Sequence, residues 1–385
     1  MSDESDNFFS DKITGAPHPM HTTKIIGHNS QKLDFLNCFA ENRIPQCWLL
    51  AGDRGIGKAS FAWQVSKFLL TTTHKPTDLK IDLNSKDLNF ILEPKSGGIL
   101  SRITSGSEQR VHIVRRGYNE SRKTFFKNIS IDDIRKLQSY CSLSMADGGR
   151  RIIIIDSADD LNKSSGNALL KLLEEPPKNT LFLLISHQSN LLLSTIKSRC
   201  QKLSFSSLNE ADLSAVLATI GCKVNQTEEN ALHILSQGSA GAACRLINSN
   251  GINLYKDILN ITSSLPSLNI NKTLQLNQDY FVKAKSNNFE IFFEMMQQFF
   301  SRLCKTGAMQ TPILPSVSNE EEKIMTYLCP SPGSAYLWSE AANITLAKLN
   351  KGYFLNINIE SLIMDAFIYL ETCYKTISQN TVTNE

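Results

Sequence analysis

Arg150 to Gln201 reads RRIIIIDSADDLNKSSGNALLKLLEEPPKNTLFLLISHQSNLLLSTIKSRCQ, and its reading decides the fold. Ile152–Ile155 is an unbroken β-branched run. A strand apolar on both faces belongs inside a covered, mostly parallel sheet. Asp156 ends it, at the strand's C-terminal edge, where open α/β sheets bind ligands. Ala168, Leu169, Leu172 and Leu173 then recur at helical spacing until Pro176-Pro177 stops the helix. A second buried strand covers Leu181 to Ile185, and Ser198-Arg199-Cys200 closes the stretch. Strand, carboxylate, helix, strand and arginine form the second half of a nucleotide-binding α/β domain.

The first half lies upstream. The apolar strand Cys47–Ala51 runs into Gly52-Asp53-Arg54-Gly55-Ile56-Gly57-Lys58, which fits GxxxxGK. Glycines let successive backbone amides curl around phosphate oxygens, the lysine adds a point charge, and the following helix turns its positive end toward the anion. That helix carries Phe61, Ala62, Val65, Phe68 and Leu69 on one face, so it packs on a sheet. Gly52, Arg54, Gly55, Ile56, Gly57, Lys58, Ala59 and Asp156 are therefore the candidate residues for binding ATP. One position departs from the pattern. The residue after the lysine should be Ser or Thr, whose hydroxyl binds Mg²⁺; here it is Ala59. Ser60 sits ~100° further around the helix and is a poor substitute. Ser157 stands where a hydrolysing P-loop ATPase of this type has a Glu to orient water, and a hydroxyl is a far weaker base.

Length and composition set outer bounds. A chain of 385 residues is expected to hold two or three domains. With 40 Lys+Arg against 37 Asp+Glu, the net charge of +3 is too mild to argue for nucleic-acid binding. Arg110, Arg115, Arg116, Arg122, Lys123, Lys127, Arg135 and Lys136 make one region basic, and a solvated face is the plainer reading of it than a DNA- or partner-facing patch. The nine scattered cysteines form no CxxC pair and suit a reducing compartment. No apolar run approaches the ~20 residues of a membrane span, and the acidic start is unlike a signal peptide. A cytoplasmic protein without membrane contact is the expectation.

KIIGHN, GDRGIGKA, ISIDDIRKL, DSADDLNKSSGNALLKLLEEPP and the SRC tripeptide together resemble bacterial clamp-loader subunits of the AAA+ class, above all the delta-prime branch of DNA polymerase III. The resemblance is strong over about residues 24–205 and weaker beyond. It implies an α/β P-loop AAA+ domain with a five-stranded parallel sheet, a small helical lid and an all-α C-terminal collar. The corresponding boundaries are a flexible segment 1–23, the AAA+ domain 24–207, a lid 208–255, a linker 256–280 and the collar 281–385; the role of an insertion at 71–110 stays open. Its partners would be gamma/tau- and delta-type subunits in a ring that loads a sliding clamp onto primed DNA.

In such rings the SRC arginine of one subunit reaches the γ-phosphate held by its neighbour, which makes Arg199 the candidate catalytic residue, acting in trans. In the lid segment GSAGAACRL, Gly238 to Leu246, active relatives carry an arginine where this chain has Gly241, and Arg245 lies one turn later. With Ala59, Ser157 and Gly241, three hydrolytic parts are lost beside a kept donor arginine. ATP is expected to be bound weakly or without hydrolysis. No zinc is expected, because no cysteine lies between Cys47 and Cys141, where relatives carry a four-cysteine module. The alternative is a competent AAA+ ATPase, a motor subunit of the same loader or of another DNA-remodelling ring. The chain's own polymerase activity has no support in the residues.

Overall fold

The computed structural model describes residues 9–13, 15–72, 92–143, 149–222, 224–282, 288–311, 313–318 and 320–382. The main sheet consists of β1 (Cys47–Ala51), β2 (Val111–Arg115), β5 (Arg151–Asp156), β6 (Thr180–Ser186) and β7 (Gln201–Ser204). Between β2 and β5, a two-stranded hairpin of β3 (Tyr118–Asn119) and β4 (Thr124–Phe125) stands apart from it. All the pairings of the main sheet are parallel, in the order β2-β5-β6-β1-β7. The strand that feeds the phosphate loop thus sits between the last strand and a fully buried centre. This is the five-stranded α/β P-loop arrangement of AAA+ domains.

The isoleucine run shows why the strand is central. Side chains alternate across a strand, so Ile152 and Ile154 enter one core with Phe61, Val65 and Phe68, while Ile153 and Ile155 enter the other with Ile134, Leu137 and Leu169. Helices Asn29–Ala40 and Lys58–Thr71 cover the first face; Ile131–Ser142 and Lys163–Glu174 cover the second. A fully buried Ile contributes roughly 1.5–3 kcal/mol, so a run of four strongly favours this strand at the centre. Local signals set the ends. Ser130 and Asp133 form a capping box at the start of Ile131–Ser142, and the Asn162 side chain accepts from the Ser165 amide at the start of Lys163–Glu174.

Parallel pairing puts all C-terminal strand ends along one edge. Register aligns Arg115 with Asp156, Asp156 with Ile185, and Ala51 with both Ser186 and Ser204. The phosphate loop and Asp156 share that edge. Gln201 pairs with Trp48, so Arg199, which precedes Gln201, lies off the opposite edge.

Three expectations need correction. The segment 1–23 was expected to be flexible. Residues 1–8 lie outside the described residues, but Asp11 is fully buried between His18 and Arg115, and His18 is only 3% exposed. Its partner Arg115 is a hundred residues away, out of reach of local polarity. The stretch 256–280 was expected to be a linker; instead it holds most of helix Gly251–Thr262 and all of Ile270–Asn277. The stretch 263–269 is only the turn between them, with Leu265 buried, and Asn269 caps the second helix. Finally, residues 208–255 do not stand as one body: Met1–Gly221 and Gly238–Gly241 group with the α/β unit, and Cys222–Gln237 and Ala242–Glu385 with the second unit. Of the insertion 71–110, residues 73–91 lie outside the described residues; helix Gly98–Thr104 buries Ile103 in the first core.

The second unit is helical. Phe289–Met309 and Pro332–Phe354 are its most extensively packed pair, with Ile359–Val382 against the latter. Phe292, Phe299, Trp338 and Phe367 are buried in it. Tyr255 and Arg302 both donate to Glu321, a satisfied polar centre. Among the described residues, no helix is long and apolar enough to cross a membrane.

Candidate nucleotide site and donor arginine

The phosphate loop has a backbone that is held at every step. Lys58, the first residue of helix Lys58–Thr71, is buried and donates to the carbonyls of Gly52, at 2.6 Å, and Asp53. Ser239 Oγ donates to the Arg54 carbonyl at 2.9 Å, the Gly241 amide donates to the Gly55 carbonyl at 2.9 Å, and His28 Nε2 donates to the Ile56 carbonyl at 2.7 Å. Five consecutive carbonyls are thereby occupied. What a glycine-rich loop at a helix start then offers to an anion is its amides.

Close approach explains two of the glycines. A Cβ on Gly52 would lie 2.4 Å from the Phe205 carbonyl oxygen, and one on Gly55 would lie 2.6 Å from Ser239 Oγ and 3.1 Å from Gly241 Cα. Both also have positive φ, +152° and +81°. The loop therefore packs directly on residues 239–241. Gly241 is equally confined: a Cβ there would lie 2.4 Å from Ile13 Cδ1 and 2.9 Å from Gly55 Cα. The position where an arginine was looked for touches the phosphate loop through its backbone. Arg245 pairs with Glu294 at 3.0 Å.

Charge at the site is finely balanced. Burial lowers the Lys58 ammonium to about 8 against the pull of Asp156, Asp159 and Asp53. Desolvation raises Asp156 to about 7; the Asp11 carboxylate pushes the same way, while Lys58 and Arg54 oppose it. Ala59 offers no metal-binding hydroxyl, and Ser60 is turned elsewhere, its Oγ accepting from Thr22 at 3.2 Å. Ser157 is buried with its hydroxyl on Asp160 at 3.2 Å. Of the acids nearby, Asp159 accepts from Ser186 Oγ at 2.7 Å and from the amides of His187 and Gln188. The set fits phosphate binding.

Two residues escaped the sequence reading. His187 follows β6, between the strands that supply the loop and Asp156; burial and the Lys58 charge lower it to about 4, and its Nδ1 has no partner among the described residues. The signal was there, as the first residue after the most buried strand. The other is Glu174. Its Oε1 holds Arg199 NH2 at 2.7 Å, and Arg199 NH1 donates to the Thr195 carbonyl at 3.0 Å. Both partners are partly exposed, at 34% for Arg199 and 47% for Glu174. An exposed pair contributes about 0–1 kcal/mol, so the guanidinium can change partners cheaply. Of the basic region, Arg110, Arg115, Arg116, Arg135 and Lys136 pair with Glu108, Asp11, Asp160, Asp132 and Asp133, which favours the plainer reading.

Fold and site define an AAA+ P-loop domain, with phosphate loop and acidic strand end on one sheet edge and an arginine off the other. Residues 27–209 match the family model described as DNA polymerase III, delta subunit, so that stretch of the chain is similar to this family of DNA polymerase III subunits. The chain is 46% identical over 74 residues to DNA polymerase III subunit delta' of Pseudomonas aeruginosa, covering 19% of this chain and 23% of that protein. It is 26% identical over 258 residues to subunit gamma of Buchnera aphidicola, covering 66% and 64%. The chain thus spans less than two thirds of these relatives. A gamma subunit-related structure from Thermotoga maritima overlays with a TM-score of 0.40 at 17% identity, covering 89% of this chain and 99% of that one, a likeness too loose to carry weight.

Proposed function

We propose that this chain is a delta-prime-like subunit of a DNA polymerase III clamp loader, that it does not hydrolyse ATP, and that Arg199 acts in trans on ATP held by a neighbouring gamma/tau-type subunit while the sliding clamp is loaded onto primed DNA. The observation that carries this is the opposition of the two edges. About four residues of β1, at ~3.3 Å each, separate the level of Gln201 from the phosphate loop. Arg199, beyond Gln201, points to a reaction on another molecule. Ala59, Ser157 and Gly241 support the same division, because the parts for Mg²⁺ binding, water activation and phosphate sensing are those replaced. The guanidinium suits the role: permanently charged and forked, it stabilises negative charge developing on a phosphoryl group.

The test is a loader reconstituted from gamma- and delta-type subunits with wild-type or Arg199→Ala chain. Hydrolysis at the adjoining site is expected to fall by about 10³-fold, the low end for such fingers, with assembly by gel filtration unchanged. An unchanged rate removes the role.

A further inference from the structure

The residues before the AAA+ domain lie over the site just described. Phe9 stacks under the Arg115 guanidinium at 3.8 Å. Asp11 takes Arg115 NH1 at 2.7 Å and His18 Nε2 at 3.0 Å, with its carboxyl fully buried. Arg115 is the register partner of Asp156, so this anchor sits at the C-terminal edge of the sheet, close enough for the Asp11 charge to act on the Asp156 carboxyl. On the other side, Ile13 Cδ1 reaches Gly241, which is bonded to Gly55 of the phosphate loop. Further along, His18 packs edge-on against Trp63 at 6.2 Å, Thr22 Oγ1 meets Ser60, and the Thr22 carbonyl accepts from Lys67 at 2.6 Å. The segment is thus tied down along helix Lys58–Thr71, with its Phe9–Ile13 end between the acidic strand end and the loop.

We infer that Phe9–Ile13 is a strap that competes with nucleotide for the phosphate loop, so that this subunit's own site is closed from within until the strap is displaced. The inference rests on reading Gly52–Lys58 as a phosphate loop. A triphosphate carries several negative charges to the phosphate loop, at the sheet edge where the Asp11 carboxylate already acts on Asp156. Like charges brought together in a partly buried site disfavour one another. The ligand class is a nucleoside triphosphate, and the strap is held by a buried ion-pair cluster at Asp11, the Phe9–Arg115 stack and the Ile13 contact, of which the first and last can each be removed by one substitution.

The experiment uses the full chain and a fluorescent ATP analogue with Mg²⁺, comparing wild type, Asp11→Ala, Ile13→Ala and Lys58→Ala, each checked for folding by thermal melting. If the strap is open for only a tenth of the time, the apparent Kd is raised about tenfold over the intrinsic one. Asp11→Ala and Ile13→Ala are therefore expected to bind about tenfold tighter than wild type or better. Folded strap variants that bind within about twofold of wild type overturn the strap alone, provided that Lys58→Ala still weakens binding. Absence of binding in every protein, with Lys58→Ala no different, removes the phosphate-loop reading and the strap with it. If the strap variants fail to fold, hydrogen exchange of wild type decides: saturating nucleotide must strip protection from the amides of Phe9–Ile13, and unchanged protection overturns the proposal.

Discussion

The two edges of one sheet are built in opposite ways. At the C-terminal edge, the phosphate loop is packed from several sides: Lys58 folds onto Gly52 and Asp53, Gly241 presses on Gly55, and Asp11 lies by Asp156. Off the N-terminal edge, Arg199 is held by an exposed ion pair to Glu174, the Thr195 carbonyl and a long bond to the Ser198 hydroxyl. On the proposed reading, the first arrangement resists a ligand and the second releases its charge to a neighbour. Closing a site takes several buried contacts, whereas lending a guanidinium takes only a partner weak enough to leave.

The comparison breaks most sharply at Arg199. Arg199→Lys in the reconstituted loader is expected to behave like Arg199→Ala, with about a 10³-fold loss at the adjoining site, because an ammonium lacks the planar fork. Rescue by lysine would reduce the arginine to a point charge. The next effect belongs to the closed edge. Asp156 has a folded pKa of about 7 against an ordinary 3.8, so between those values the folded state holds a proton that the unfolded state has lost. Its contribution to stability falls as pH rises through that window. Asp156→Asn is expected to match wild type at about pH 4 and to exceed it by ~1–3 kcal/mol at pH 8, measured by urea unfolding. A constant difference across pH would mean that the carboxyl is not desolvated.

Gly241→Ala sharpens the contrast further. Its Cβ would press on Ile13 and on the Gly55 backbone, which cannot rotate away. A loss of about 1–2 kcal/mol in chemical denaturation is expected from overpacking; a gain, as helix propensity alone would give, would show that the contact is loose. The smallest effect is at the open edge: Glu174→Ala should change stability by less than about 1 kcal/mol. A large loss would show Arg199 to be a structural tether.

The residues reveal unequal shares of this picture. The isoleucine run, the glycine loop and the doubled proline could be read directly, because strand, phosphate loop and helix stop depend on neighbours in sequence. The resemblance supplied the sheet's strand count and the role of the serine-arginine-cysteine tripeptide. What stayed hidden depends on partners far apart: Asp11 with Arg115, Glu174 with Arg199, Gly241 with Gly55. Each pair joins residues with no periodic pattern between them, and a charged residue on its own reads as solvated. Helix Ile270–Asn277 was missed for a different reason, since its polar surroundings resemble a linker while its buried face is only Thr273, Leu276 and Asn277.

The division of labour can be measured most directly as steady-state ATP turnover by the purified chain, alone and then in the reconstituted loader. The account predicts no turnover above background from the chain alone, and turnover in the assembly that depends on Arg199 and not on Lys58. Vigorous hydrolysis by the isolated chain, abolished by Lys58→Ala, would contradict it.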